Sequence, residues 1–401
     1  MKDFNSLVGL SPELRAVLAD LGTGGLPVIR GQWHIADPYK VTSPAIEGTF
    51  ASSEDAYAAC VDGRGDGILV LSGGTTSAHT TSYLKVALEF SKSDITVFGV
   101  ASGGYNSRAR ISSHNALTSS VSIVTANPDG LPTTITRAAN SFITDGWLVG
   151  MHGVYDSGSG GSYSTEFIVT AVSALVLTCT THDEVATESA TTRTLCGYFP
   201  YVVNVSGSNN KFYNISVVNG ASNSLNLGAL AVSGTKNVFV NCHFSSNHTL
   251  GSAAVGCYDV RLSGSENQFV RCWMGNNNTA RSGAANGNIH LGLSTTQIGQ
   301  NVFEDCYVLS YSITTTHGGI KVADVATLGG WVTFTRCKFI NWNNAKTYMA
   351  TIIIGATPTN WGILLDHCSS VGYTALSAND DMSFATPGVP ESGTASIGTS
   401  V

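Results

Sequence analysis

One motif returns along the second half of the chain and limits what it can fold into. VSGSNNKF ends at Phe212, VSGTKNVF at Phe239 and LSGSENQF at Phe269, so the phenylalanines stand 27 and 30 residues apart. The pattern continues through NVFEDCYV with Phe303, VTFTRCKF with Phe334 and ILLDHCSS with Leu365. A cysteine follows three residues later in five successive units, as Cys242, Cys272, Cys306, Cys337 and Cys368, at spacings of 30, 34, 31 and 31. A period of this length marks a repeat architecture, in which each unit buries its apolar face only against its neighbours.

Within each period, β-prone segments alternate with Gly/Ser/Asn turns, as one coil of a parallel β-solenoid requires. Coils lie about 4.8 Å apart and pair backbone to backbone, so equivalent residues stack in columns. The expected fold is all-β, a right-handed parallel β-helix. Phe212, Phe239, Phe269, Phe303, Phe334 and Leu365 form one interior column, and the five cysteines form a smaller ladder beside it. Cysteine serves there as a compact hydrophobe. Parallel in-register Cβ vectors give poor disulfide dihedrals, so free thiols are expected. Composition agrees: 12% charged residues and 44 glycines suit strands and tight turns better than helices.

Before the repeat, residues 53–59 (SEDAYAA) read as a short helix capped by Ser52 or Ser53, with Gly63 beyond its end. Strand-like ILVL (68–71), YLKVALEF (83–90) and DITVFG (94–99) follow. This order of helix, Gly-Asp-Gly and strand resembles the opening of pectate-lyase-like β-helix proteins. The resemblance implies a helix that plugs the end of the solenoid, where strand edges would otherwise lie open. Residues 119–197 break the period, and TTITRAANSFITDGW with the alternating STEFIVTAVSALVLT predicts a small antiparallel β unit. That run is similar to a compact β-barrel segment of phage structural proteins, which implies a place on a virus particle. The expected organisation is an N-terminal arm or anchor (1–50), the capping helix and first coils (51–118), the inserted barrel-like unit (119–197), the repeat block (198–386) and a tail (387–401). Within the arm, Ser11 and Pro12 start a predicted helix that Gly22 closes.

A net charge of −7 without a Lys/Arg run argues against a nucleic-acid partner or an anionic membrane surface. No apolar stretch reaches the roughly 18 residues of a membrane span, and the first residues are too polar for a secretory signal. Synthesis in the host cytoplasm is therefore expected, and the resemblance implies residence in the virion. No Cys-x-x-Cys, phosphate loop or dinucleotide fingerprint occurs, so neither metal nor cofactor is expected. Asp62 to Asp66 (DGRGD) reads as a turn.

Glycoside hydrolysis needs two carboxyl groups roughly 5 to 9.5 Å apart. The column before the cysteines, Asn241, Arg271, Asp305, Arg336 and His367, sets Asp305 between arginines as a surface ion ladder. Glu304 shares its column with Asp366, two coils away. For lyase chemistry the basic candidates are Arg261, His290 and Lys321, at similar positions on the strands before the motif. The column after the cysteines, His243, Trp273, Tyr307, Lys338 and Ser369, offers aromatics to a sugar or to a neighbouring subunit. The expected function is a non-enzymatic virion structural protein on the capsid surface or tail. The resemblance implies a homotrimer with other virion proteins as partners. The alternatives are a tailspike-like depolymerase, a glycosidase or lyase drawing on Glu304, Asp366, Arg261, His290 or Lys321, and a non-catalytic adhesin for a host surface glycan.

Overall fold

The computed structural model describes residues 29–37, 49–50, 52–71, 81–83, 88–100, 109–112, 117–126, 133–156, 163–180, 188–198, 200–219, 227–246, 256–282, 286–292, 298–313, 317–322, 329–343, 346–352, 362–377 and 384–385. The helix predicted from Ser11 and the tail from residue 387 lie outside these. The chain divides into two compact units, one built from residues 114–200 and 221–226 and the other from the remainder.

The larger unit is a parallel β-helix of three sheets. The first runs from Thr49–Phe50 through Trp33–Ala36, Gly67–Leu71, Thr96–Val100, Lys211–Tyr213, Val238–Val240, Gln268–Val270, Val302–Glu304, Trp331–Thr335 and Gly362–Asp366 to Phe384–Ala385. The second stacks Thr81–Tyr83, Ala109–Ser112, Ile215–Asn219, His243–Ser246, Trp273–Gly275, Tyr307–Ser310, Lys338–Asn341 and Ser369–Val371. The third stacks Leu88–Phe90, Tyr201–Val205, Gly228–Val232, Tyr258–Leu262, Gly287–Leu291, Gly318–Val322, Lys346–Ile352 and Tyr373–Ser377.

Register in the first sheet pairs Phe212 with Phe239, Phe239 with Phe269, Phe269 with Phe303, Phe303 with Phe334 and Phe334 with Leu365. The five phenylalanine rings stack at 4.5–4.8 Å between centroids with tilts of 8–10°. The coil spacing dictates this distance, and wholly buried rings contribute dispersion as well as hydrophobic transfer. The thiols of Cys242, Cys272, Cys306, Cys337 and Cys368 are free, and each donates to the phenylalanine carbonyl of the preceding coil at 3.2–3.4 Å. Burial raises the Cys272 thiol well above its ordinary range, so it stays protonated.

A third inward column is polar. Asn210, Asn237, Asn267 and Asn301 are fully buried. The Oδ1 atoms of Asn237, Asn267 and Asn301 accept the backbone N–H of the preceding coil's asparagine at 2.9–3.0 Å. Their Nδ2 groups donate to Gly207, Gly234 and Gly264 carbonyls at 3.0–3.1 Å. The ladder satisfies turn groups that neither sheet nor solvent reaches. Its stacked turns come so close that a Cβ on Gly234 would lie 1.9 Å from the Gly207 carbonyl oxygen.

Four repeat strands of the first sheet sit between two left-handed residues, and Trp331–Thr335 and Gly362–Asp366 end on one. Asn209, Lys236, Glu266 and Gln300 precede the strands with φ of 57–60°, and Asn214, Asn241, Arg271, Asp305, Arg336 and His367 turn the corner into the second sheet with φ of 50–54°. The helix Ser53–Ala59 caps the N-terminal end as the resemblance implied. Ser52 Oγ accepts the Asp55 N–H, Tyr57 packs on Phe90 at 4.4 Å, and Lys92 Nζ donates to the Tyr57, Ala58 and Cys60 carbonyls at 2.7–3.0 Å.

The smaller unit contains a closed antiparallel barrel of the strands His152–Asp156, Tyr163–Val172, Val176–Cys179, Thr133–Arg137, Leu117–Ala126 and Glu188–Tyr198, in that order. Phe142, Trp147, Met151, Phe167, Leu177 and Leu195 fill it. Part of the stretch read as strand is a helical turn instead. Phe142–Asp145 is capped by Ser141 and ended by left-handed Gly146, local signals that outweigh the β-prone Phe-Ile-Thr. Arg137, nearly buried, donates to Asp145 at 2.6 Å and lies over the Phe142 ring. Among the described residues no helix is long and apolar enough to cross a membrane.

Candidate functional site

The outward columns decide what chemistry the β-helix offers. At the corner of the first two sheets, Arg336 donates to Asp305 at 2.8 Å and also bonds Glu304. This hydrogen bonding, with the charges of Arg336 and Arg271, holds the Asp305 carboxyl below its usual range. Asp366 pairs with His367 at 2.5 Å. Thr335 stands between Glu304 and Asp366 in register. The geometry does not bring these two candidates together, and each has its own partner, Arg336 for Glu304 and His367 for Asp366.

The three basic candidates do share one column on the outer face of the third sheet. Arg261 pairs in register with His290, and His290 with Lys321. Arg261 lies 4.9 Å over the Tyr258 ring, and that ring packs on His290 at 5.5 Å. Gly228 makes room for Tyr258, since a Cβ there would fall 1.9 Å from the ring. In the same column, Glu89 accepts from Asn204 at 2.8 Å and from the Tyr201 hydroxyl. His290 and Lys321 are buried, at 9% and 5% exposure. Their stems lie against Gly287 and Tyr258. Burial, with the charges of Lys321 and Arg261 beside it, pushes His290 down to about 3, and burial also lowers Lys321. An imidazole this buried and this weakly basic is poorly suited to take a proton from a polymer.

The second sheet presents the open face. His243, Trp273, Tyr307, Lys338 and Ser369 pair in one outward column. Trp273 and Tyr307 stack at 4.5 Å, and Lys338 Nζ lies 5.2 Å over the Tyr307 ring. Beside them runs the column Leu309, Ile340, Val371. Trp342 and Val371 are 61% and 63% exposed, and Ile313 is also exposed. The aromatic column was legible in the sequence; its apolar companion was not, because it lies beyond the quoted motif.

Two buried polar groupings also escaped sequence reading. Asp259 and Arg281, both fully buried, pair at 2.6 Å, and Asp259 also accepts from Ser246 N and Asn288 Nδ2 at 2.8 Å. Near the N-terminal end, His34, Cys60 and Asp66 bring nitrogen, sulfur and oxygen together, the one such set found among the described residues that could hold a metal ion.

No protein-family model matches the chain, and no curated protein matches it. Solved structures similar to it include a pectin methylesterase from Aspergillus niger, 13% identical over 94% of this chain and 93% of that one, with a TM-score of 0.43. Pectate lyase Pel9A is 13% identical over 90% and 79% of the two chains, with a TM-score of 0.36. The tailspike protein gp49 from Pseudomonas phage LKA1 is 12% identical over 80% and 60%, with a TM-score of 0.29. These are likenesses of fold at low identity, and the architecture stands on the pairing registers of the chain itself.

Proposed function

We propose that this chain is a non-enzymatic structural component of a bacteriophage particle, attached to the capsid or tail and assembled as a homotrimer through the outer face of its second sheet. The observation that carries the reading is that face: Trp273, Tyr307, Ile340, Trp342 and Val371 form an aromatic and apolar strip along successive coils. Such strips are the mark of surfaces that another protein covers. The barrel unit, which carries the run similar to phage structural proteins, supports placement on a particle. The carboxylates that a hydrolase would use are tied to Arg336 and His367 instead.

Size-exclusion chromatography with light scattering on the full chain tests the association. The expected mass is three times that of the 41.8 kDa chain, falling to one chain in the Trp342→Asp, Val371→Asp double variant. A monomeric native chain contradicts the trimer. Immunogold electron microscopy of purified particles should label every virion, and unlabelled virions would contradict the location. Incubation with host capsule or lipopolysaccharide should release neither reducing ends nor unsaturated uronates. The stacked Trp273 and Tyr307 favour one second reading, a glycan-binding adhesin, which predicts saturable binding lost in Trp273→Ala without product.

A further inference from the structure

At the N-terminal end of the first sheet, two inward columns change their chemistry in the same place. His34 pairs in register with Ile68, Ile68 with Val97 and Val97 with Phe212. A histidine therefore heads a column that is apolar from Ile68 to Leu365. Asp66 holds the asparagine-ladder position: Thr96 N donates to its carbonyl at 2.9 Å, as Val238 N does to that of Asn210 at 2.8 Å. Its Oδ1 accepts Gln32 N at 2.9 Å, the same bond that Asn237 makes to Asn210 N. An asparagine would make that bond without a charge. Here a fully buried carboxylate turns its Oδ2 toward His34, whose Nε2 lies 3.7 Å away. His34 is 7% exposed, and neither of its ring nitrogens has a hydrogen-bond partner, an arrangement that costs stability unless something else engages the ring. Cys60, at the end of the capping helix and 3% exposed, completes the set, with all three ligand atoms within 4.8 Å of one another.

We propose that His34, Cys60 and Asp66 bind a divalent cation of the zinc class and so fasten the capping helix to the first coils. Nitrogen, thiolate and carboxylate are the donors such ions take, at about 2.0–2.3 Å in a tetrahedron, so the three atoms need to draw together by about 1 Å around the ion. Water fills the fourth position. The Cys60 Sγ, which now donates to the Ala56 carbonyl at 3.4 Å, forms the metal–sulfur bond and releases its proton to solvent. Val61 N and Gln32 N keep the Asp66 carboxylate oriented. Arg64, which bonds both carboxylate oxygens at 2.6 Å and is partly exposed, swings into solvent as the cation takes its place on Oδ2.

Titration of the full chain with Co²⁺ tests this. One ion per chain should bind, with a thiolate-to-cobalt charge-transfer absorption that Zn²⁺ displaces. The absorption should vanish in Cys60→Ala and His34→Ala and persist in Cys272→Ala, whose thiol belongs to the interior ladder. Arg64→Gln should tighten binding about tenfold by removing a competing charge. No absorption at equimolar Co²⁺, or an absorption that survives Cys60→Ala, would overturn the site. Because a buried cysteine variant can lose the fold, X-ray absorption on the Zn²⁺-loaded native chain gives an independent reading. One sulfur with nitrogen and oxygen neighbours is expected; several sulfurs, or none, would overturn it.

Discussion

A single side chain in this molecule acts in proportion to the number of coils that reuse its position. Asn267 accepts the Asn237 N–H and donates to the Gly234 carbonyl. Asn267→Leu leaves both buried groups unpaired, and should cost about 3 kcal/mol, read as a lower urea midpoint. The asparagines were visible in the motif, two residues before each phenylalanine, yet an isolated Asn reads as an ordinary turn residue. Only stacking turns it into a buried ladder. His290 behaves differently, because its charge matters more than its bonds. Its folded-state pKa of about 3 lies below the unfolded value near 6.5, so between these values the unfolded chain binds more protons and stability falls as pH falls. The native chain should therefore lose more stability from pH 6.5 to pH 4 than His290→Gln does, by a few kcal/mol. Equal losses in thermal melts of the two would show that His290 is protonated in the fold.

Single elements here are weak and repeated. A three-residue strand such as Gln268–Val270 cannot hold itself, and it is fixed by left-handed residues at both ends and by identical neighbours on both sides. Position along the stack should set the penalty of truncation. Phe269→Ala, with a ring on each side, should cost about 3 to 5 kcal/mol. Leu365→Ala, at the end of its column, should cost less, and equal midpoints for the two variants in denaturant would contradict the stacking. From sequence the corner residues suggest an ion ladder; Asn241, Asp305 and His367 are types that favour left-handed backbone, but Arg271 and Arg336 in the same column are not, and the mixture hides the signal. The helical turn at Phe142–Asp145 was missed for the opposite reason: its cap signals were present but sat inside a β-prone run.

At the scale of the whole molecule, a period of about 30 residues made the β-helix legible because one register repeats through every coil. The same regularity failed where coils differ in length. The 34-residue coil hid the fact that Arg261, His290 and Lys321 share a column, and no linear spacing marks His34, Cys60 and Asp66, which winding alone brings together. Function was less legible than fold, since the apolar strip of the second sheet depends on residues far from the motif. Every reading of the outward faces presupposes that one side chain per coil lies in file inside the solenoid. A density map at side-chain resolution measures this directly. The rings of Phe212, Phe239, Phe269, Phe303 and Phe334 should stand in single file 4.5–4.8 Å apart with the neighbouring thiols unbridged, whereas rings scattered through separate cores, or bridged sulfurs, would contradict it.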